Sequence, residues 1–259
     1  MNLFQISFHR ASKRSRRRAG KRSLRSTSFL ILAVLLIIIA VASSALFFLG
    51  QKNSPGTNTT TSQSSGKLVI LYVNQGNGLV NESKFPSLVS LAKSQGFNTI
   101  FFQVYRSGNL VFSSDEMKYF VAAAHQDNLR IFFALYFTNS SQVIPGSIYG
   151  LGEDGISLDM STLNFSSQNA LLSTLKQDYH GGLTAVTTTN FTTTLNPDIL
   201  ILETYSLFYR NYIHPGIVAG VEVLATSSKA DYESQVQYAL NNSDGVMVFD
   251  YYGLIVTGY

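Results

Sequence analysis

The chain has 259 residues, a formal net charge of +4 and no cysteine, which excludes disulfides, thiolate nucleophiles and cysteine metal sites together. The charge is unevenly placed: residues 1–28 carry nine Lys/Arg and no acid, whereas residues 67–259 carry nine Lys/Arg against all fifteen acids. The pI near 9.2 therefore describes an N-terminal arm, and the acidic remainder argues against a nucleic-acid face, so no nucleic-acid partner is expected.

After the arm comes an uncharged segment, Phe29 to Gly50, of 22 residues. At about 1.5 Å per residue a helix of that length spans roughly 33 Å, close to the hydrocarbon thickness of a bilayer. The segment reads as a single transmembrane helix with the lipid bilayer as partner. Cationic flanks stay cytoplasmic, so the expected topology in the plasma membrane has the N-terminus inside and the C-terminal domain outside. The rival reading is a cleaved signal peptide, because Ala40-Val41-Ala42 resembles a cleavage site. Against it, Ala45-Leu46-Phe47-Phe48-Leu49 prolongs the apolar run beyond that site. Residues 51–66 are polar and rich in Ser and Thr, which reads as a disordered stalk, with a folded domain over 67–259. Asn-X-Ser/Thr acceptors at Asn58, Asn81, Asn139, Asn164, Asn190 and Asn241 fit a glycoprotein outside the cell.

From Lys67 onward, short apolar runs alternate with amphipathic stretches. Strands are predicted at Leu68–Val73, Thr99–Tyr105, Leu129–Phe137, Gly155–Asp159, Leu183–Thr187, Ile199–Glu203, Ile217–Leu224 and Gly245–Asp250. Phe85, Leu88, Val89 and Ala92 repeat at helical spacing, and Gly96 can end that helix. Ser113 and Glu116 have capping-box spacing ahead of Met117, Phe120, Val121 and Ala124. Leu171, Leu172 and Leu175 mark a third helix, and Tyr232, Val236, Ala239 and Leu240 a fourth. Eight strands interleaved with helices predict an α/β (β/α)8 barrel. It is a reduced one, because residues 138–153 and 188–198 have loop chemistry where helices would stand. An open doubly wound sheet is the alternative.

In such folds chemistry sits at the C-terminal ends of the strands. Four predicted strands end there in acids: Asp159, Glu203, Glu222 and Asp250. Each interrupts an apolar run in which an isolated charge is costly to bury. Asn74, Gln103, Tyr105, Tyr136 and Tyr251 fall at or beside strand ends and, with Asp250, are candidate substrate-binding groups. Two carboxylates on one cleft are what glycosidic cleavage needs. The alternative is that these acids cap helices or pair with Arg106, Arg130 and Arg210. The domain's histidines, His125, His180 and His214, lack metal-ligand spacing, and neither a serine nucleophile elbow nor a phosphate loop is present, so no metal or cofactor is expected.

Asp154-Gly155-Ile156-Ser157-Leu158-Asp159 resembles the fourth strand of glycoside-hydrolase-like TIM barrels. Val246 to Tyr252 resembles their closing strand, and Leu68–Asn74 followed by a helix and Gly96-Phe97-Asn98-Thr99-Ile100 resembles their opening. The sequence departs from chitinase-type barrels at Met160-Ser161, where their acid would follow, and it has no tryptophan. The resemblance implies a glycan-cleaving domain in which Asp159 is catalytic; among the strand-end acids, Asp159 is then expected to be nucleophile or base, Glu203 the proton donor and Glu222 its competitor for that role. The rival is a non-catalytic surface module on the same fold that binds glycan or protein.

Overall fold

The computed structural model describes residues 66–76, 80–205, 207–226 and 228–259. The expected arm, the expected span and all but the last residue of the expected stalk lie outside the described residues. Among the described residues, no helix is long and apolar enough to cross a membrane.

The strands are β1 (Leu68–Val73), β2 (Thr99–Arg106), β3 (Asn109–Leu110), β4 (Arg130–Tyr136), β5 (Gly155–Asp159), β6 (Leu183–Thr188), β7 (Ile199–Leu202), β8 (Val218–Glu222) and β9 (Gly245–Phe249). All pair in parallel except β3, which returns antiparallel on β2. β1 pairs with β2 on one side (Ile70 with Thr99) and with β9 on the other (Leu68 with Gly245). The eight parallel strands therefore close into a barrel, which rules out the open sheet.

The helices are α1 (Phe85–Ser94), α2 (Ser114–Gln126), α3 (Phe165–Asp178), α4 (Lys229–Asn242) and α5 (Tyr251–Thr257). Their starts follow from local chemistry. Ser113 accepts from the Glu116 amide while the Glu116 carboxylate accepts from the Ser113 amide, completing the capping box of α2. Asn164 caps α3 through the Ser167 amide at 2.9 Å, and Ser228 caps α4 through Asp231 at 3.1 Å. The chain leaves α1 through Gly96 at φ +81°, where a Cβ would be strained. Among the described residues, only a 3-10 turn at Gly146–Ile148 lies between β4 and β5 and another at Leu207–Tyr212 between β7 and β8, and no helix joins β6 to β7. The barrel is complete in strands and reduced in its helical coat.

Period-two alternation splits the core in two. Inside the barrel lie Ile70 and Tyr72 from β1, Phe101 from β2, Phe132 and Ala134 from β4, Ala185 from β6, Ile201 from β7 and Met247 from β9. The outward residues of the same strands pack under the helices, as Phe102 does against Phe85 and Phe120 at 5.1 and 4.8 Å between ring centroids. Burial of each such ring contributes about 1.5–3 kcal/mol. The interior is filled without room to spare. A Cβ on Gly155 would stand 2.2 Å from the Phe132 ring and 2.4 Å from the Leu183 carbonyl oxygen, and one on Gly245 would stand 2.2 Å from the Leu68 carbonyl oxygen.

Candidate active site

The Asp154–Asp159 motif divides its labour along one strand. At its start Asp154 accepts from the Ile131 amide and pairs with His125 Nε2, both at 2.8 Å, which ties β5 to β4 and α2. Gly155 makes way for Phe132. At the other end Asp159 faces inward at the mouth of the barrel, 5% exposed. There it lines a pocket of about 210 Å³ with Tyr72, Asn74, Gln103, Arg106, Tyr136, Ser161, Glu203, Tyr205 and Phe249.

Asp159 is held from two sides. The Tyr72 hydroxyl donates to Oδ2 and the Ser161 hydroxyl to Oδ1, each at 3.0 Å. Tyr72 is itself placed by Gln103, whose amide donates to the phenol oxygen at 3.4 Å and whose carbonyl accepts from the Gln75 backbone at 3.0 Å. Burial raises the Asp159 carboxyl above its ordinary range, and the hydroxyls of Ser161 and Tyr72 pull it back down. Glu203, one residue past β7, is pushed up to about 8, first by burial and then by the charge of Asp159, while the hydroxyls of Tyr205 and Ser161 oppose the shift. Ser161 thus stands against both acids. The Tyr72 and Tyr205 phenols are raised well above their usual range, chiefly by burial, and stay neutral donors. At neutral pH the pair shares one proton. Glu203 is the member pushed furthest by its partner's charge, and Asp159 is the member that receives donated hydrogen bonds from both Tyr72 and Ser161.

Asn74, Gln103, Tyr136, Asp159 and Glu203 meet in this pocket, whereas Tyr105, Glu222, Asp250 and Tyr251 do not line it. The register of β2 on β4 shifts between Gln103 and Tyr105, so Val104 is an extra residue. That bulge reverses the alternation: Tyr105 turns outward to pack on Phe137 at 5.3 Å, and Arg106 takes the place in the pocket that period-two counting assigns to Tyr105. Asp250 caps α5, accepting from the Gly253 amide at 2.9 Å. Tyr251 packs against the outer core. Glu222 is half-buried beside the pocket, and its carboxyl is raised by burial and by the charge of Asp250.

Five lining residues were not proposed as site residues from the sequence: Tyr72, Arg106, Ser161, Tyr205 and Phe249. Tyr72 and Phe249 were within reach of period-two counting from Leu68 and Gly245. Arg106 was hidden by the bulge, and Ser161 and Tyr205 sit on loops that carry no periodicity. Of the arginines proposed as acid partners, Arg106 and Arg210 lie on aromatic rings instead, at 6.0 Å from Tyr136 and 4.6 Å from Tyr238. Among the described residues, no group of three or more His, Cys, Asp or Glu is placed to hold a metal ion.

No protein-family model matches this sequence, and none of the curated proteins matches it. Solved structures do match the fold. A chitinase from Bacteroides thetaiotaomicron superposes with a TM-score of 0.51 at 13% identity, over 72% of this chain and 90% of that one. A family 5 glycoside hydrolase from Bacteroides vulgatus gives 0.52 at 10% identity, over 70% of this chain and 57% of its own. A further glycoside hydrolase gives 0.51 at 11% identity, over 71% and 61%. In the last two, the shared region spans about three fifths of the larger protein. At these identities the likeness is one of fold: the domain has the architecture of a TIM barrel, which these glycoside hydrolases share.

Proposed function

We propose that the chain is a membrane-anchored, extracytoplasmic glycoside hydrolase acting on envelope or extracellular glycans. The observation that carries the reading is that Asp159 and Glu203 share one open pocket at the C-terminal barrel mouth, close enough that the charge of Asp159 helps push the Glu203 carboxyl up to about 8. Cleavage needs a neutral carboxyl to protonate the leaving oxygen and a charged one to attack the anomeric carbon or activate water. Glu203, held up to about 8, takes the first role, and Asp159, fixed by Tyr72 and Ser161, takes the second. Neutral Tyr205 and Tyr72 beside the acids add donors for sugar hydroxyls, and Phe249 and Tyr136 add ring faces. The pocket is smaller than the roughly 300–1,000 Å³ typical of enclosed ligand sites, so it suits one sugar ring of a longer chain lying across the mouth. The cationic arm and the uncharged Phe29–Gly50 segment support the anchored, outward-facing placement.

The test is a reducing-sugar release screen over envelope and extracellular polysaccharides with the wild-type protein and Asp159→Asn. Release by the wild type and a loss of at least about a hundredfold in the variant are expected. A wild-type protein that binds glycans across the screen and releases no sugar from any would sink the hydrolase and leave a binding module on the same barrel.

A further inference from the structure

The pocket holds a cation that its own acids do not use. Arg106 is exposed at the rim, and among the described residues its sole hydrogen bond to a side chain is a 3.5 Å contact from Nη1 to the Asn74 amide oxygen. None of the ion pairs among the described residues includes it. Asp159 and Glu203 line the same pocket, and among the described residues neither forms an ion pair with the guanidinium. A guanidinium offers five donors in a fixed fork that matches planar or tetrahedral oxyanions.

Its position is built. The extra residue at Val104 turns Arg106 toward the pocket in place of Tyr105. The chain then reverses through Ser107 at φ +50° and Gly108 at φ +96° into β3, which anchors the end of β2. The guanidinium lies on the backbone of Gly76 so closely that a Cβ there would overlap it, and the Tyr136 ring flanks it at 6.0 Å. A side chain whose charge only kept the surface soluble would need neither the bulge nor the glycine. An anion entering beside two acids would meet repulsion, and two features relieve it: the Glu203 carboxyl is protonated at neutral pH, and the cation stands on the same rim.

We infer that the sugar unit bound in this pocket carries an anionic oxygen group, a carboxylate or a sulfate ester, and that Arg106 recognises it. The inference rests on the glycan reading of the site but not on cleavage. The experiment measures binding of the full-length chain in detergent micelles to two matched pairs of probes. One pair is trigalacturonate and its carboxyl-reduced, neutral counterpart; the other is a sulfated dextran trisaccharide and the unsulfated one. Short probes limit contact with the basic arm, and Arg14→Gln, which removes one charge from that arm, controls for the remainder.

The wild type is expected to bind the charged member of one pair at least about tenfold tighter than the neutral member, the scale of a charge-assisted hydrogen-bonded contact. The pair that shows the gap tells carboxylate from sulfate. Arg106→Gln is expected to close the gap, Arg106→Lys to restore part of it, and Arg14→Gln to leave it within twofold. A gap that is absent from both pairs, or that survives Arg106→Gln in a protein whose thermal unfolding is unchanged, overturns the inference. Charge-selective, Arg106-dependent binding without sugar release would sink the hydrolase and keep this inference. Release from neutral glycan without charge preference would do the reverse.

Discussion

Asp159 and Glu203 are both acids at strand ends, yet their surroundings set them apart. Asp159 caps no helix, since α3 is capped by Asn164, and it belongs to no ion pair among the described residues. Asp159→Asn therefore strands no cation and replaces a buried acid with a neutral group of the same size, so the melting temperature should hold or rise while glycan hydrolysis collapses. A drop of several degrees would mean that Asp159 supports the fold. Glu203 makes a pH prediction. Its carboxyl titrates near 4.5 when free and at about 8 in the folded protein, so the native state keeps a proton that the unfolded chain gives up. The stability it contributes is whole below about pH 4.5, falls as pH rises toward 8, and is flat above. Relative to wild type, Glu203→Gln should gain stability over that window, on the order of a few kcal/mol at its alkaline end. Melts at pH 5, 7 and 9 check it, and an equal offset at all three would reject the assignment. Hydrolysis by the wild type should fall as pH passes 8, when the acid loses its proton.

At the scale of elements, β2 and β5 shape the site through departures from regularity. The bulge at Val104 exchanges Tyr105 for Arg106 at the barrel mouth. In β5 the glycine is what the interior demands, because Phe132 occupies the space of its missing side chain. Gly155→Ala should cost about 1–3 kcal/mol by overpacking, more if the Leu183 carbonyl must also move and the hydrogen bonding of β5 to β6 suffers. Denaturant midpoints of the two proteins measure it. A neutral result would mean that Phe132 changes rotamer freely, and the layered interior would then be softer than its contacts imply.

For the whole molecule, the asymmetry of charge about Phe29–Gly50 predicts an N-in, C-out anchor. Protease added to intact cells should remove the C-terminal domain and spare the arm. A C-terminal tag protected until the membrane is opened would reject that topology, and a mature N-terminus near Ser43 would establish cleavage instead.

What the sequence determined by itself is what depends on a few neighbouring residues. The runs Leu68–Val73 and Gly155–Asp159 coincide with β1 and β5, and the Ser113 and Glu116 pair forms the expected cap, because side-chain alternation and capping are settled within a turn or a strand. Eight such runs, with weak helix signals after β4 and β6, predicted a barrel with a thin coat, and the pairing of β1 with both β2 and β9 decided it against an open sheet. Counting strand ends reached Asn74, Gln103, Tyr136, Asp159 and Glu203. Tertiary structure decided which of the strand-end acids meet. That depends on how far each strand slides past its neighbours and on which acid is drawn off to cap a helix, as Asp250 is. It also decided that Arg106 replaces Tyr105, since a bulge is a mismatch between two paired strands and neither strand alone carries it. The proton on Glu203 belongs to the same class: a carboxyl takes its affinity from the water it loses and the charge it faces, and both are supplied by residues far away in the chain.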